Sequence, residues 1–227
     1  MRRALAIFLF AATAVIAQQP QAPPAAPLRP PERGVTAQQL WAALLQANQA
    51  YVNGRITYDN LKAERQQLAD HQLPPVTVLS CSDSRVPPEL VFNQSLGVLF
   101  VVRGAGNVVD DFGLASIEYA IAQGYTQLIV VLGHENCGAV KASLGVGGPN
   151  TPALTALATR IRASFVGIPY STSDPANVKK AVEANTRASA AYLLAASPLI
   201  REAVTSNRIQ VVTAYYEMES GLVKRIE

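Results

Sequence analysis

Gln127-Leu-Ile-Val-Val-Leu-Gly133 is a near-continuous aliphatic run that stops at His134-Glu-Asn-Cys137. Aliphatic residues without polar alternation predict a strand covered on both faces, as in a parallel sheet packed between helices. Upstream, Val76-Thr-Val-Leu-Ser80 has the same character and also runs into a cysteine, in Cys81-Ser-Asp83-Ser-Arg85. Leu99-Phe-Val-Val-Arg103 and residues 208–216 supply two further strands. Helical spacing fills the gaps. Residues 36–53 carry Leu40, Ala43, Leu44, Ala47 and Tyr51 behind Thr36 as N-cap, and 59–69 form a more polar helix. Residues 112–123, 151–165 and 178–196 follow, with Ser197-Pro198 stopping and restarting the last. The sequence therefore predicts an α/β fold with a central, mostly parallel sheet of about four to five strands flanked by helices. Both cysteine clusters fall just after strands, at the sheet edge where open α/β folds bind ligands.

The chain has 227 residues, enough for one sizeable domain, and no long apolar run follows the N-terminus. Met1-Arg2-Arg3, the apolar stretch from Ala4 to Ala17 and the small residues around Val15-Ile16-Ala17 read as a cleaved signal peptide over 1–17. Residues 18–34, with Pro20, Pro23, Pro24, Pro27, Pro30 and Pro31, read as an extended linker. A single folded domain is expected over 35–227, in a periplasmic or secreted protein with no membrane span after cleavage. Without Arg2 and Arg3 the formal charge is +1 rather than +3, which gives no electrostatic case for nucleic acid.

Two thiols and an imidazole (Cys81, His134 and Cys137) form a usual ligand set for zinc, and a catalytic site keeps the fourth position for water or substrate. An oxidising compartment makes a Cys81–Cys137 disulfide a direct competitor. The residues around the cysteines favour the metal. Asp83 and Arg85, two apart in extended chain, point to one side and suit a bidentate carboxylate–guanidinium pair. Paired, Asp83 stays ionised and off the metal; unpaired, it closes the site as a fourth ligand. The sequence permits both states. A metal-bound water ionises near neutral pH, and two thiolate ligands should shift that ionisation towards alkaline pH.

Cys81-Ser-Asp-Ser-Arg-Val-Pro-Pro-Glu89 followed by Gly133-His-Glu-Asn-Cys-Gly-Ala-Val140 resembles the β-class carbonic anhydrases. The resemblance extends over residues 36–227 and includes Ala105-Gly-Asn107, Ser116-Ile-Glu-Tyr-Ala120, Ser197-Pro-Leu-Ile-Arg201 and Ala214-Tyr-Tyr216. It implies one Zn2+ per chain on Cys81, His134 and Cys137, with zinc-bound hydroxide hydrating carbon dioxide to bicarbonate and a proton. Asp83 and Arg85 would be the catalytic dyad gating the fourth zinc position. Gln72 would contact bicarbonate, Phe100, Ala105 and Tyr119 would form an apolar wall, and Gly138 would contribute a backbone position. The resemblance further implies a homodimer or dimer of dimers, with N-terminal helices extending over the partner. Val98 stands where the family commonly has an acid, Gly104 where it often has asparagine, and Val78 where a bicarbonate-inhibited subtype has tryptophan.

The same zinc, dyad and apolar pocket would also serve hydrolysis of carbonyl sulfide or carbon disulfide. A catalytically silent zinc-binding or sensing protein is a third reading, against which Arg85 stands. His71 reads as a solvated surface histidine rather than a proton shuttle. Gly104-Ala-Gly106-Asn is turn chemistry, because the third glycine of a nucleotide loop is missing. Gly145-to-Pro149 is a connection, Trp41, Tyr215 and Tyr216 are core or dimer-contact aromatics, and Asp110-Asp111 is a helix N-cap.

Overall fold

A computed structural model describes residues 35–58, 60–145 and 151–227 of the chain. The stretches read as signal peptide and linker lie outside these residues, as do Asp59 and the connection beyond Gly145. No helix among the described residues is long and apolar enough to cross a membrane.

Strands β1 (Val76–Ser80), β2 (Leu99–Arg103), β3 (Leu128–His134), β4 (Gln210–Tyr216) and β5 (Val223–Arg225) form one sheet in the order β2-β1-β3-β4-β5. The first four are mutually parallel and β5 runs antiparallel to β4. The expected architecture is present, with β5 as an addition that the sequence pattern does not announce. Helices α1 (Ala37–Val52), α2 (Leu61–Gln67), α4 (Asp111–Ala122), α6 (Pro152–Arg162), α7 (Pro175–Ala196) and α8 (Pro198–Thr205) match the periodic stretches. The short α3 (Pro88–Val91) and α5 (Gly138–Leu144) fall outside the stretches that the sequence pattern marks as helical.

Alternation along the parallel strands builds two cores. Val76 and Val78 of β1, with Leu128, Val130 and Leu132 of β3, meet Leu40, Trp41 and Leu44 of α1 on one face. Leu79, Ile129 and Val131 meet Ile117, Ile121, Leu193 and Ile200 on the other. Each such fully buried aliphatic side chain contributes about 1.5–3 kcal/mol through removal from water. Asn48 fastens α1 in place: its Nδ2 donates to the carbonyls of Val91 and Gly221 at 2.8 Å each, and its Oδ1 accepts from the Val223 N–H at 2.9 Å. Trp41, Tyr215 and Tyr216 are all core residues. At the N-termini, Thr36 caps α1 reciprocally with Gln39, and Asp110 caps α4 through the Gly113 N–H at 2.8 Å.

The chain leaves β1 for β2 on one side, then crosses to β3 on the other side of β1. Between β1 and β3 lies the point where the winding direction reverses, with Ser80 in register with Leu132. The carboxyl ends of these two strands deliver Cys81 and His134 side by side.

Candidate metal centre

Cys81, His134 and Cys137 come together at the carboxyl ends of β1 and β3, with one ligand atom from each lying within 4.8 Å of the others. All three are buried, and both cysteines are free thiols. His134 closes β3, and the chain then turns through Asn136, at φ 54°, so that Cys137 arrives beside it as the N-cap of α5. Asparagine tolerates that left-handed conformation better than bulkier residues do.

Hydrogen bonding orients the donors. The His134 Nδ1 lies 2.9 Å from the Glu135 carbonyl, which only accepts, so Nδ1 carries the proton and Nε2 presents its lone pair. That Nε2 is buried without a hydrogen-bond partner. A hydrogen bond from the Cys137 thiol lowers the pKa of Cys81, and the same bond together with burial raises that of Cys137. The Gly106 N–H also donates to Cys81 Sγ, at 3.3 Å. One orphaned imidazole nitrogen facing two thiols is a donor set suited to a tetrahedral dication, which would take the lone pair and displace the thiol protons.

Asp83 lies next to this group. Arg85 donates to it three times, from Nε to Oδ1 at 2.9 Å, from Nη2 to Oδ2 at 2.8 Å and from its backbone N–H to Oδ1 at 3.0 Å. These bonds hold the Asp83 carboxyl well below the usual carboxylate range. Its Oδ2 is 3.9 Å from His134 Nε2. The carboxylate is thus committed to the guanidinium, the paired one of the two states that the sequence allows.

Arg103, to which the sequence assigns no role, closes the loop from the edge strand. Its Nε donates to the Cys81 carbonyl at 2.9 Å and its Nη2 to the Asp83 carbonyl at 2.6 Å. Only its place at the end of an otherwise apolar strand marks it in the sequence. Ala105 sits in the one-turn 3-10 helix Ala105–Asn107, against the cysteine segment. It lines a recess with Gly104, Val108 and Leu157. At Gly138 an added Cβ would meet open space, so the region beside Cys137 is accessible. Gly104 has a local reason: a Cβ there would lie 2.5 Å from the Val108 carbonyl oxygen. Val98 is buried, and nothing else in the structure explains its replacement of an acid.

Gln72, Phe100 and Tyr119 are not brought to the ligand group within the chain. Phe100 is in register with Thr77, near the start of β1, and its ring stacks at 6.4 Å on that of Tyr119. Exposed Gln72 lines an open recess with Tyr119, Tyr125 and His71. These residues belong to the outer face of β2 and α4.

Comparison with known proteins gives a consistent result. Residues 76–223 match the family model described as carbonic anhydrase. Carbonic anhydrase 2 of Mycobacterium tuberculosis is 33% identical over 183 residues, covering 80% of this chain and 88% of that protein. A carbonic anhydrase of Mycolicibacterium smegmatis is 48% identical over 105 residues, covering 46% of this chain and 51% of its own length. Among solved structures, a tetrameric β-carbonic anhydrase of Sordaria macrospora aligns with a TM-score of 0.67 at 25% identity, over 82% of this chain and 96% of that one. Coccomyxa β-carbonic anhydrase in complex with acetazolamide aligns with a TM-score of 0.63 at 28% identity, over 81% and 84%.

Proposed function

This chain belongs to the β-class carbonic anhydrase family, and on that premise we propose that it hydrates carbon dioxide reversibly to bicarbonate and a proton at Cys81, His134 and Cys137. The observation that carries the reading is the unpartnered, buried Nε2 of His134 facing two thiols, with an ionised carboxylate 3.9 Å away. Cys81, His134 and Cys137 would hold zinc, which when bound supplies a Lewis acid that makes water nucleophilic near neutral pH.

The protein's own residues do the remainder. Arg85 keeps Asp83 ionised and turned from the ligand group, so the fourth position stays open to substrate. Asp83 Oδ2 accepts a hydrogen bond from the reacting water and so directs a lone pair of the water oxygen at the carbon. The Glu135 carbonyl fixes the His134 tautomer. Gln72 donates its amide N–H to an oxygen of bicarbonate. Phe100, Ala105 and Tyr119 line the approach of an apolar gas, and Gly138 leaves room beside Cys137.

In a single chain Gln72, Phe100 and Tyr119 face away from Cys81, which favours a homodimer, or a dimer of dimers, in which this face of one protomer meets the ligand group of another. The tetrameric Sordaria relative is in keeping with such an assembly. The N-terminal stretch 1–17 would direct export to the periplasm or beyond, so mature protein should begin at Gln18.

Stopped-flow carbon dioxide hydration by the mature chain, metal-stripped and then zinc-restored, tests the proposal. Zinc-dependent turnover that rises towards alkaline pH is the expected result. One bound zinc per chain without turnover, together with hydrolysis of carbonyl sulfide or carbon disulfide, would overturn the choice of substrate.

A further inference from the structure

The sulfur of Cys81 accepts from the Gly106 N–H at 3.3 Å, and that donor sits on a residue with little intrinsic reason to stay put. Gly106 is left-handed, with φ 65° and ψ 27°. Glycine populates the mirror conformation about as readily, and a flip would swing the N–H off the sulfur. No larger residue fits to resist the flip. A Cβ at Gly106 would lie 3.0 Å from Ile161 Cδ1 and 3.3 Å from Ala139 Cβ, quite apart from the strain of its backbone. The turn must be held from outside.

Helix α7 supplies the hold. Asn185, 2% exposed, donates from Nδ2 to the Gly106 carbonyl at 2.6 Å. Its neighbours on that face do less: Thr186 Oγ1 donates to the Val182 carbonyl within the helix, and the Asn107–Ser189 contact is 3.5 Å long. We infer that Asn185 is a positioning residue of the metal centre, fixing the Gly106 backbone so that its N–H points at the sulfur of Cys81. The inference rests on the metal reading proposed above. An N–H donated to a coordinating thiolate withdraws electron density from the sulfur and anchors it in direction. Without Asn185 the Gly106 carbonyl loses its buried donor, the turn gains its mirror conformer, and the sulfur becomes more electron-rich and less fixed.

The test compares the parent protein with Asn185→Ala, Asn185→Leu and Asn177→Ala. Asn185→Leu keeps the number and branching of the side-chain heavy atoms without the donor, and decides the matter where Asn185→Ala fails to fold. Asn177 is a buried asparagine on the same helix that donates to the carbonyls of Pro169 and Ser171, away from the cysteines, and its variant controls for general loosening of α7. Two quantities are read: the sulfur-to-metal charge-transfer band of the cobalt-substituted proteins, and the rate at which zinc passes to a competing chelator. Both Asn185 variants should move the band to longer wavelength and release zinc about tenfold faster or more, the usual weight of an outer-shell partner. Asn177→Ala should match the parent in both. Folded Asn185 variants with the parent's band and release rate would overturn the inference, as would an equal change in Asn177→Ala. A parent that takes up neither cobalt nor zinc would instead defeat the metal-centre reading, so the two failures are distinguishable.

Discussion

The carboxyl ends of β1 and β3 and the outer face of β2 and α4 solve opposite problems with the same chain. At the strand ends Cys81, His134 and Cys137 are buried, oriented by backbone carbonyls and amides, and backed by Arg103 and Asn185. On the outer face Phe112 is 85% exposed, Tyr119 48% and Leu96 46%, and Gln72 has only a loose recess around it. The first region is complete within one chain. The second presents apolar and amide groups that the chain itself does not use. The ligand group is therefore a property of the fold, whereas the substrate wall proposed above would be a property of the assembly.

That contrast is open to direct attack. The largest effect should come from His134→Ala, which removes the one imidazole donor: bound zinc, measured by atomic absorption, should fall to near zero and hydration to the buffer background. Retained zinc would mean that the strand ends are not the metal centre. Asp83→Ala comes next. Zinc content should be unchanged while kcat falls about 10²-fold or more, because a group that orients the reacting water is lost but no ligand is. Full activity would remove Asp83 from the reaction. Gln72→Ala touches only the outer face and deletes one hydrogen bond, so kcat/KM should drop roughly 3- to 10-fold with zinc unaltered. The smallest change in the chain's own stability belongs to Phe112→Asp, within about 0.5 kcal/mol, since the side chain is 85% exposed. Its sedimentation should nevertheless shift towards monomer, and activity should fall with dissociation. An unchanged assembly would show that the outer face is not the contact, and the comparison would have to be redrawn.

The parallel sheet and the ligand group were both legible in the sequence for one reason. Aliphatic runs such as Leu128 to Leu132 end at chemically distinctive residues, and a parallel sheet sets such ends side by side. Asp83 and Arg85 were legible because their pairing is local, settled by a spacing of two. What stayed hidden depends on partners distant in sequence. Arg103 finds the carbonyls of Cys81 and Asp83 only because β2 lies beside β1, and Asn185 finds Gly106 only because α7 crosses that turn. Each bonds to backbone carbonyls, which every residue has, so no motif records the choice. β5 was hidden differently, being three residues long with two exposed basic side chains.

The absent methyl at Gly133 sets a clearance for the whole molecule. A Cβ there would stand 2.1 Å from Thr186 Oγ1 of α7, so that helix rides against β3 at a distance only glycine permits, one residue before the imidazole. Any side chain at 133 would act as a wedge, lifting the long helix from the strand and carrying Asn185 away from Gly106 with it. A hydrogen atom in place of a methyl thus sets the tolerance to which helix and metal donors are machined, and a substitution that adds a single carbon would be felt on both sides of that seam.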